Sequence, residues 1–114
     1  MDRTIALFGS DPALLSSLRF ALTLDGFTLS QEAKEPASEA CLIIDQDFQG
    51  DGLAWLASQR ALGNLSPALL LVTHPDRALR ASAAALGCRL IDKPLTGDEL
   101  TEALTDIFAD RQIA

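Results

Sequence analysis

Basic residues are scarce in this chain. Lys and Arg number 9 against 16 Asp and Glu, a formal net charge of -7 over 114 residues. That shortage excludes general nucleic-acid binding by this domain, and it argues against docking on anionic membranes. Long apolar runs are also missing, and the longest fall far short of a membrane span. Cysteine occurs only at Cys41 and Cys88, in no metal-ligand spacing. Each lies beside an apolar run, so buried free thiols are expected rather than a disulfide. No glycine-rich phosphate loop follows the first apolar run, which disfavours a nucleotide binder. Met1-Asp2-Arg3-Thr4 leads straight into a strand-like run without signal-peptide architecture, so a cytoplasmic location is expected. Internal repeats and low-complexity segments are absent.

What is present is a globular composition, 48% hydrophobic and 22% charged. The length suits one domain spanning 1–114, with 111–114 as a tail or the start of a linker. The organising stretch is Cys41-Leu42-Ile43-Ile44-Asp45-Gln46-Asp47. A continuous apolar run marks a strand buried on both faces, as inside a parallel sheet. The carboxylate that ends it falls at the carboxyl edge of the sheet, where open α/β folds place their sites.

Similar runs recur along the chain. Thr4-Ile5-Ala6-Leu7-Phe8 reads as a strand, closed by Gly9-Ser10-Asp11-Pro12. Asp11 or Ser10 can cap the following helix, and Pro12 suits its first turn. Leu14, Leu18, Ala21 and Leu22 keep helical spacing up to Asp25-Gly26. Phe27-Thr28-Leu29 is a short strand, and the polar stretch 30–39, broken by Pro36, reads as a loop with at most one helical turn.

After Asp45 a turn-rich loop leads into a helix carrying Leu53, Leu56, Ala57 and Arg60. Residues 67–72 form a fourth strand, and Thr73-His74-Pro75-Asp76 leads out of it. The next helix is Ala-rich, with Ala78, Leu79, Ser82, Ala83 and Leu86 on one face. Leu90-Ile91 is a short fifth strand, closed by Asp92-Lys93-Pro94. Thr96-Gly97-Asp98-Glu99 is a capping box for a last helix over 96–110, with Leu95 and Leu100 as its hydrophobic staple. Five strands alternating with helices predict a parallel sheet with helices on both faces.

Three strand exits then carry reactive groups: Asp45, Thr73 and Lys93. A carboxylate, a hydroxyl and an ammonium together suit phosphoryl chemistry. The carboxylate can be the nucleophile, and the other two can hold phosphoryl oxygens. Together with Asp11-Pro12, Asp51-Gly52-Leu53, Ala85-Leu86-Gly87 and Asp98-Glu99-Leu100, this order resembles the receiver domain of two-component response regulators, across essentially the whole chain. The resemblance implies a flavodoxin-like, doubly wound fold with five parallel strands in the order 2-1-3-4-5. It makes Asp45 the phosphoacceptor, Thr73 the switch hydroxyl and Lys93 the lysine that pairs with the phosphoryl group. It also implies a cis Lys93-Pro94 bond.

Against that family three departures stand out. Its members carry an acidic pair after the first strand, and an ungapped alignment on Pro12 puts Gly9 and Ser10 there. Magnesium needs hard oxygen ligands, so Mg2+ affinity is expected to be weak or absent. Asp11, Asp45 and Asp47 are the carboxylates left to form an altered site. The segment from Gly26 to Asp45 is shorter than usual by about two helical turns, implying a shortened or missing second helix. Finally, Leu90 stands where the family has an aromatic switch residue, and His74, the single histidine, follows Thr73.

Two functions remain open at this level. One is a receiver that takes a phosphoryl group on Asp45 from a histidine kinase or phosphotransfer protein. The other is a pseudo-receiver, a degenerate member serving as a protein-interaction module for a partner or output domain. Neither is an enzyme acting on a separate substrate. The face at 75–110 is a possible homodimer surface.

Overall fold

The computed structural model describes residues 4–29, 41–93 and 99–113. Within them lie β1 (Thr4–Phe8), α1 (Pro12–Leu24), β2 (Thr28–Leu29), β3 (Cys41–Asp45), α2 (Gly52–Ala61), β4 (Ala68–Val72), α3 (Arg77–Ala85), β5 (Cys88–Asp92) and α4 (Glu99–Ile113). The strands form one parallel sheet in the order β2-β1-β3-β4-β5. This is the expected flavodoxin-like arrangement.

Strand alternation divides the core between the two faces of the sheet. Ile5, Leu7, Cys41, Ile43, Leu69 and Leu71 face one way and pack under Leu18 and Leu22 of α1 and Leu104 and Phe108 of α4. Ala6, Phe8, Leu42, Ile44, Leu70 and Val72 face the other way, under Leu56 of α2 and Ala83 of α3. β3 and β4 are buried along their whole length, which is why their sequences read as unbroken apolar runs.

Helix starts follow local capping chemistry. Asp11 caps α1 by accepting the Ala13 N–H at 3.0 Å, and Pro12 occupies the first turn. Asp51 caps α2 through the Leu53 and Ala54 N–H groups, both at 3.1 Å. Asp76 caps α3 through the Leu79 N–H at 2.8 Å. The far end of α2 is fastened by Arg60. Its Nε donates to the Leu86 carbonyl at 2.8 Å, and one terminal nitrogen donates to the carbonyls of Asn64 (3.0 Å) and Ser66 (2.6 Å).

Several sequence expectations shift. β5 is five residues long rather than two. Pairing with β4 recruits Cys88 and Arg89, whose local pattern alone does not announce a strand. Residues 111–113 continue α4 instead of forming a tail. On α3, Leu79, Ala83 and Leu86 face the core, whereas Ala78 and Ser82 are exposed. The altered second helix at 30–40, the cis Lys93-Pro94 bond, the capping box and the Leu95 staple lie outside the described residues. Neither Cys41 nor Cys88 is in a disulfide, and both are buried, as expected. No described helix is long and apolar enough to cross a membrane.

Candidate functional site

The carboxyl ends of β1, β3, β4 and β5 lie side by side, so their exits bring Gly9, Asp45, Thr73 and Lys93 to one edge of the sheet. Asp45 is the last residue of β3 and is 5% exposed. Its Oδ1 is paired with the Lys93 ammonium and has no hydrogen bond beyond that contact. A buried carboxylate without a counter-charge is costly, and the Lys93 ammonium supplies that counter-charge to Asp45. The Lys93 N–H donates to the Val72 carbonyl at 2.8 Å, which fixes where the lysine leaves the sheet.

The loop after Asp45 is tightly built. Phe48 and Trp55 meet edge to face at 5.3 Å between ring centroids, and Trp55 packs on Phe8 of β1 at 4.5 Å. Gly52 opens α2 directly against β3, and its N–H donates to the Gln46 carbonyl at 2.8 Å. A side chain at Gly52 would collide with the Asp45 backbone and with Ile44. Glycine is therefore required here for close approach.

Thr73 is exposed at the end of β4, and its N–H donates to Oε1 of Gln46 at 3.0 Å. His74 follows in the left-handed region, with φ of 50°. It lines a cleft of about 300 Å³ beside the site, together with Gln46, Asp47, Asp51 and Asp76. Asp45, Thr73 and Lys93 do not line that cleft.

The remaining carboxylates are not gathered around Asp45. Asp11 is exposed and spends its carboxylate on capping α1. Asp47 is exposed, and its carbonyl accepts the Gly50 N–H at 3.0 Å. Ser10 is exposed. Among the described residues, no three His, Cys, Asp or Glu side chains are grouped so as to hold a metal ion. The expected set of Asp11, Asp45 and Asp47 is thus not grouped as a metal site among the described residues; the Asp11 carboxylate caps α1, and that of Asp45 meets Lys93.

Gly9 does flank Asp45. A Cβ there would stand 3.5 Å from the Asp45 Cβ and 3.1 Å from a δ-methyl of Leu15. The position that could offer a second carboxylate therefore has no side chain, and an apolar residue of α1 leans over it. These residues do not fit magnesium, which asks for several hard oxygen ligands in octahedral array.

Sequence reasoning put Asp45 and Lys93 at the exits of β3 and β5, on either side of β4, and the structure brings their side chains together. That reasoning missed Leu15, whose helical spacing marks only a core position, and the side-chain role of Gln46, which reads as a plain loop residue. Elsewhere, burial pushes the Cys88 thiol up to about 11, against a smaller lowering by the Arg60 charge.

No family model and no curated protein matches the chain. Solved structures do. Full-length FixJ from B. japonicum is 26% identical with a TM-score of 0.80; the match covers 94% of this chain and 58% of that one. A CheY-like response regulator receiver domain protein from Methanospirillum hungatei is 15% identical, with a TM-score of 0.82 and 98% of each chain covered. A protein described as an adenylate cyclase from Rhodopirellula baltica is 20% identical, with a TM-score of 0.80, 99% of this chain and 92% of that one covered. The likenesses to the last two concern fold alone. By its strand order, its helices on both faces and these likenesses, the chain is a CheY-like receiver domain in fold.

Proposed function

We propose that this chain is a two-component signalling module of the receiver type that works through protein contact, without metal-dependent phosphorylation of Asp45. The observation that carries this reading is the Asp45–Lys93 pair, formed beside a glycine rather than a second acid. Phosphoryl transfer brings several negative oxygens to the acceptor carboxylate, and positive charge must meet them. Here the nearby ammonium already neutralises the carboxylate. Gly9 offers no ligand that would draw in a divalent cation. The pair then serves to hold the exits of β3 and β5 together.

The partner under this reading is another protein or an output domain, in a cytoplasmic setting. The acidic balance of the chain speaks against nucleic acid. Homodimerisation through 75–110 would use a face exposing Arg77, Arg80 and Arg89 alongside Glu102 and Asp106. A second reading is favoured by one observation: Asp45, Thr73 and Lys93 occupy adjacent strand exits. In that case Asp45 accepts a phosphoryl group from a histidine kinase or phosphotransfer protein.

Incubation with a small phosphodonor and Mg2+, followed by intact-mass spectrometry, separates the two. The expected result is an unmodified chain and no Mg2+-dependent change in its amide NMR spectrum. A labile phosphate adduct that disappears in Asp45→Asn would establish the second reading instead.

A further inference from the structure

Gln46 uses every hydrogen-bonding part of its backbone, and its side-chain oxygen as well, to tie the site's elements together. Its N–H donates to the Leu71 carbonyl of β4 at 3.0 Å, and its carbonyl accepts the Gly52 N–H of α2 at 2.8 Å. Its side-chain Oε1 accepts the Thr73 N–H at 3.0 Å, across 27 residues of sequence. A backbone N–H can only donate, so the oxygen of the amide must face Thr73. This bond reaches Thr73 at the point where β4 ends and the chain turns through His74 at a positive φ before α3 begins. A non-glycine residue enters that region only when its surroundings hold it there.

We infer that Gln46 is a latch that sets the β4–α3 loop, so that the placement of Thr73 and of the start of α3 is governed by this side chain and not by the state of Asp45. The inference stands apart from the question of phosphorylation, because it concerns a bond between a loop amide and a neutral side chain. The Asp45 carboxylate makes its own contact with Lys93 and takes no part in the latch. The loop therefore keeps one arrangement whether or not the Asp45–Lys93 pair is intact.

Amide hydrogen exchange of the whole chain, read residue by residue by NMR, tests this. Gln46→Met keeps the side-chain length and both backbone bonds but removes the acceptor oxygen. Gln46→Glu keeps an acceptor at the same reach. The expected result is a protected Thr73 amide in the parent chain and exchange about tenfold faster or more in Gln46→Met, the scale of one lost hydrogen bond. Gln46→Glu and Asp45→Asn should stay near the parent rate. The inference is overturned if Thr73 exchanges like a free amide in the parent chain, which requires no variant to fold. It is equally overturned if Gln46→Met leaves the rate unchanged, if Gln46→Glu is as fast as Gln46→Met, or if Asp45→Asn releases the amide to the same extent.

Discussion

Gly52 sits so close to Asp45 that a methyl group on its Cα would lie well inside contact distance of the Asp45 carbonyl oxygen and 2.9 Å from a methyl of Ile44. The first turn of α2 thereby acts as a backstop for the end of β3. Gly52→Ala must move either the helix or the strand end. Overpacking of this kind costs about 1–3 kcal/mol. Urea denaturation should show that loss, and the amide shifts of residues 45 and 46 should move more than those of β2. An unchanged midpoint would mean the approach is looser than described.

The Lys93–Asp45 pair makes a prediction about coupling. Lys93→Met leaves the Asp45 carboxylate buried without its counter-charge and should cost about 1–3 kcal/mol. Asp45→Asn removes the charge that Lys93 answers. If the pair is a unit, the double variant should be more stable than the sum of the single losses predicts, by at least about 0.5 kcal/mol. Strict additivity in the double-mutant cycle would show the two groups to be energetically independent.

Arg60 fastens three carbonyls at the end of the sheet opposite Asp45, tying α2 to the ends of α3 and the 62–67 connection. Arg60→Ala leaves those carbonyls without this donor and should lower stability by about 1.5–3 kcal/mol, the range for charge-assisted bonds. Arg60→Lys should recover little, because an ammonium lacks the planar fork that reaches several carbonyls at once. Equilibrium unfolding of both variants decides this. Full recovery by lysine would mean that charge alone matters there.

Cys88 makes stability depend on pH in the alkaline range. Its thiol is held up to about 11 by burial, above its ordinary value of 9.0. The folded state thus keeps a proton that the unfolded state has already released. Stability should be unaffected below about pH 8.5 and fall as pH rises toward the folded value. Melting temperatures of the parent chain and Cys88→Ala, taken from pH 8 to pH 11, should diverge less as pH rises. In the native chain near neutral pH, both buried thiols should resist a thiol reagent and react once urea is added.

Much of this molecule is written in short-range patterns. Cys41-Leu42-Ile43-Ile44-Asp45 announces a doubly buried strand ending in a carboxylate, and Asp11-Pro12 announces a capped helix; both are seen. β5 was legible only at Leu90-Ile91, because Cys88 and Arg89 become a strand through their partners on β4. The spacing of Ala78, Leu79, Ser82, Ala83 and Leu86 suggests one face of α3, yet alanines lie on all its sides, so spacing alone does not say which are buried.

The sequence by itself determined the alternation of strands and helices, and with it the edge at which Asp45, Thr73 and Lys93 emerge. Periodicity, capping and turn chemistry act over a few residues, so they can be read along the chain. Only the tertiary structure decided what surrounds Asp45. Asp45 pairs with a lysine 48 positions away, Leu15 leans over Gly9 from the next helix, and Gln46 reaches Thr73 at the exit of the neighbouring strand. Those contacts depend on how exits and helix ends converge after packing. They set the Asp45 carboxylate against the Lys93 ammonium.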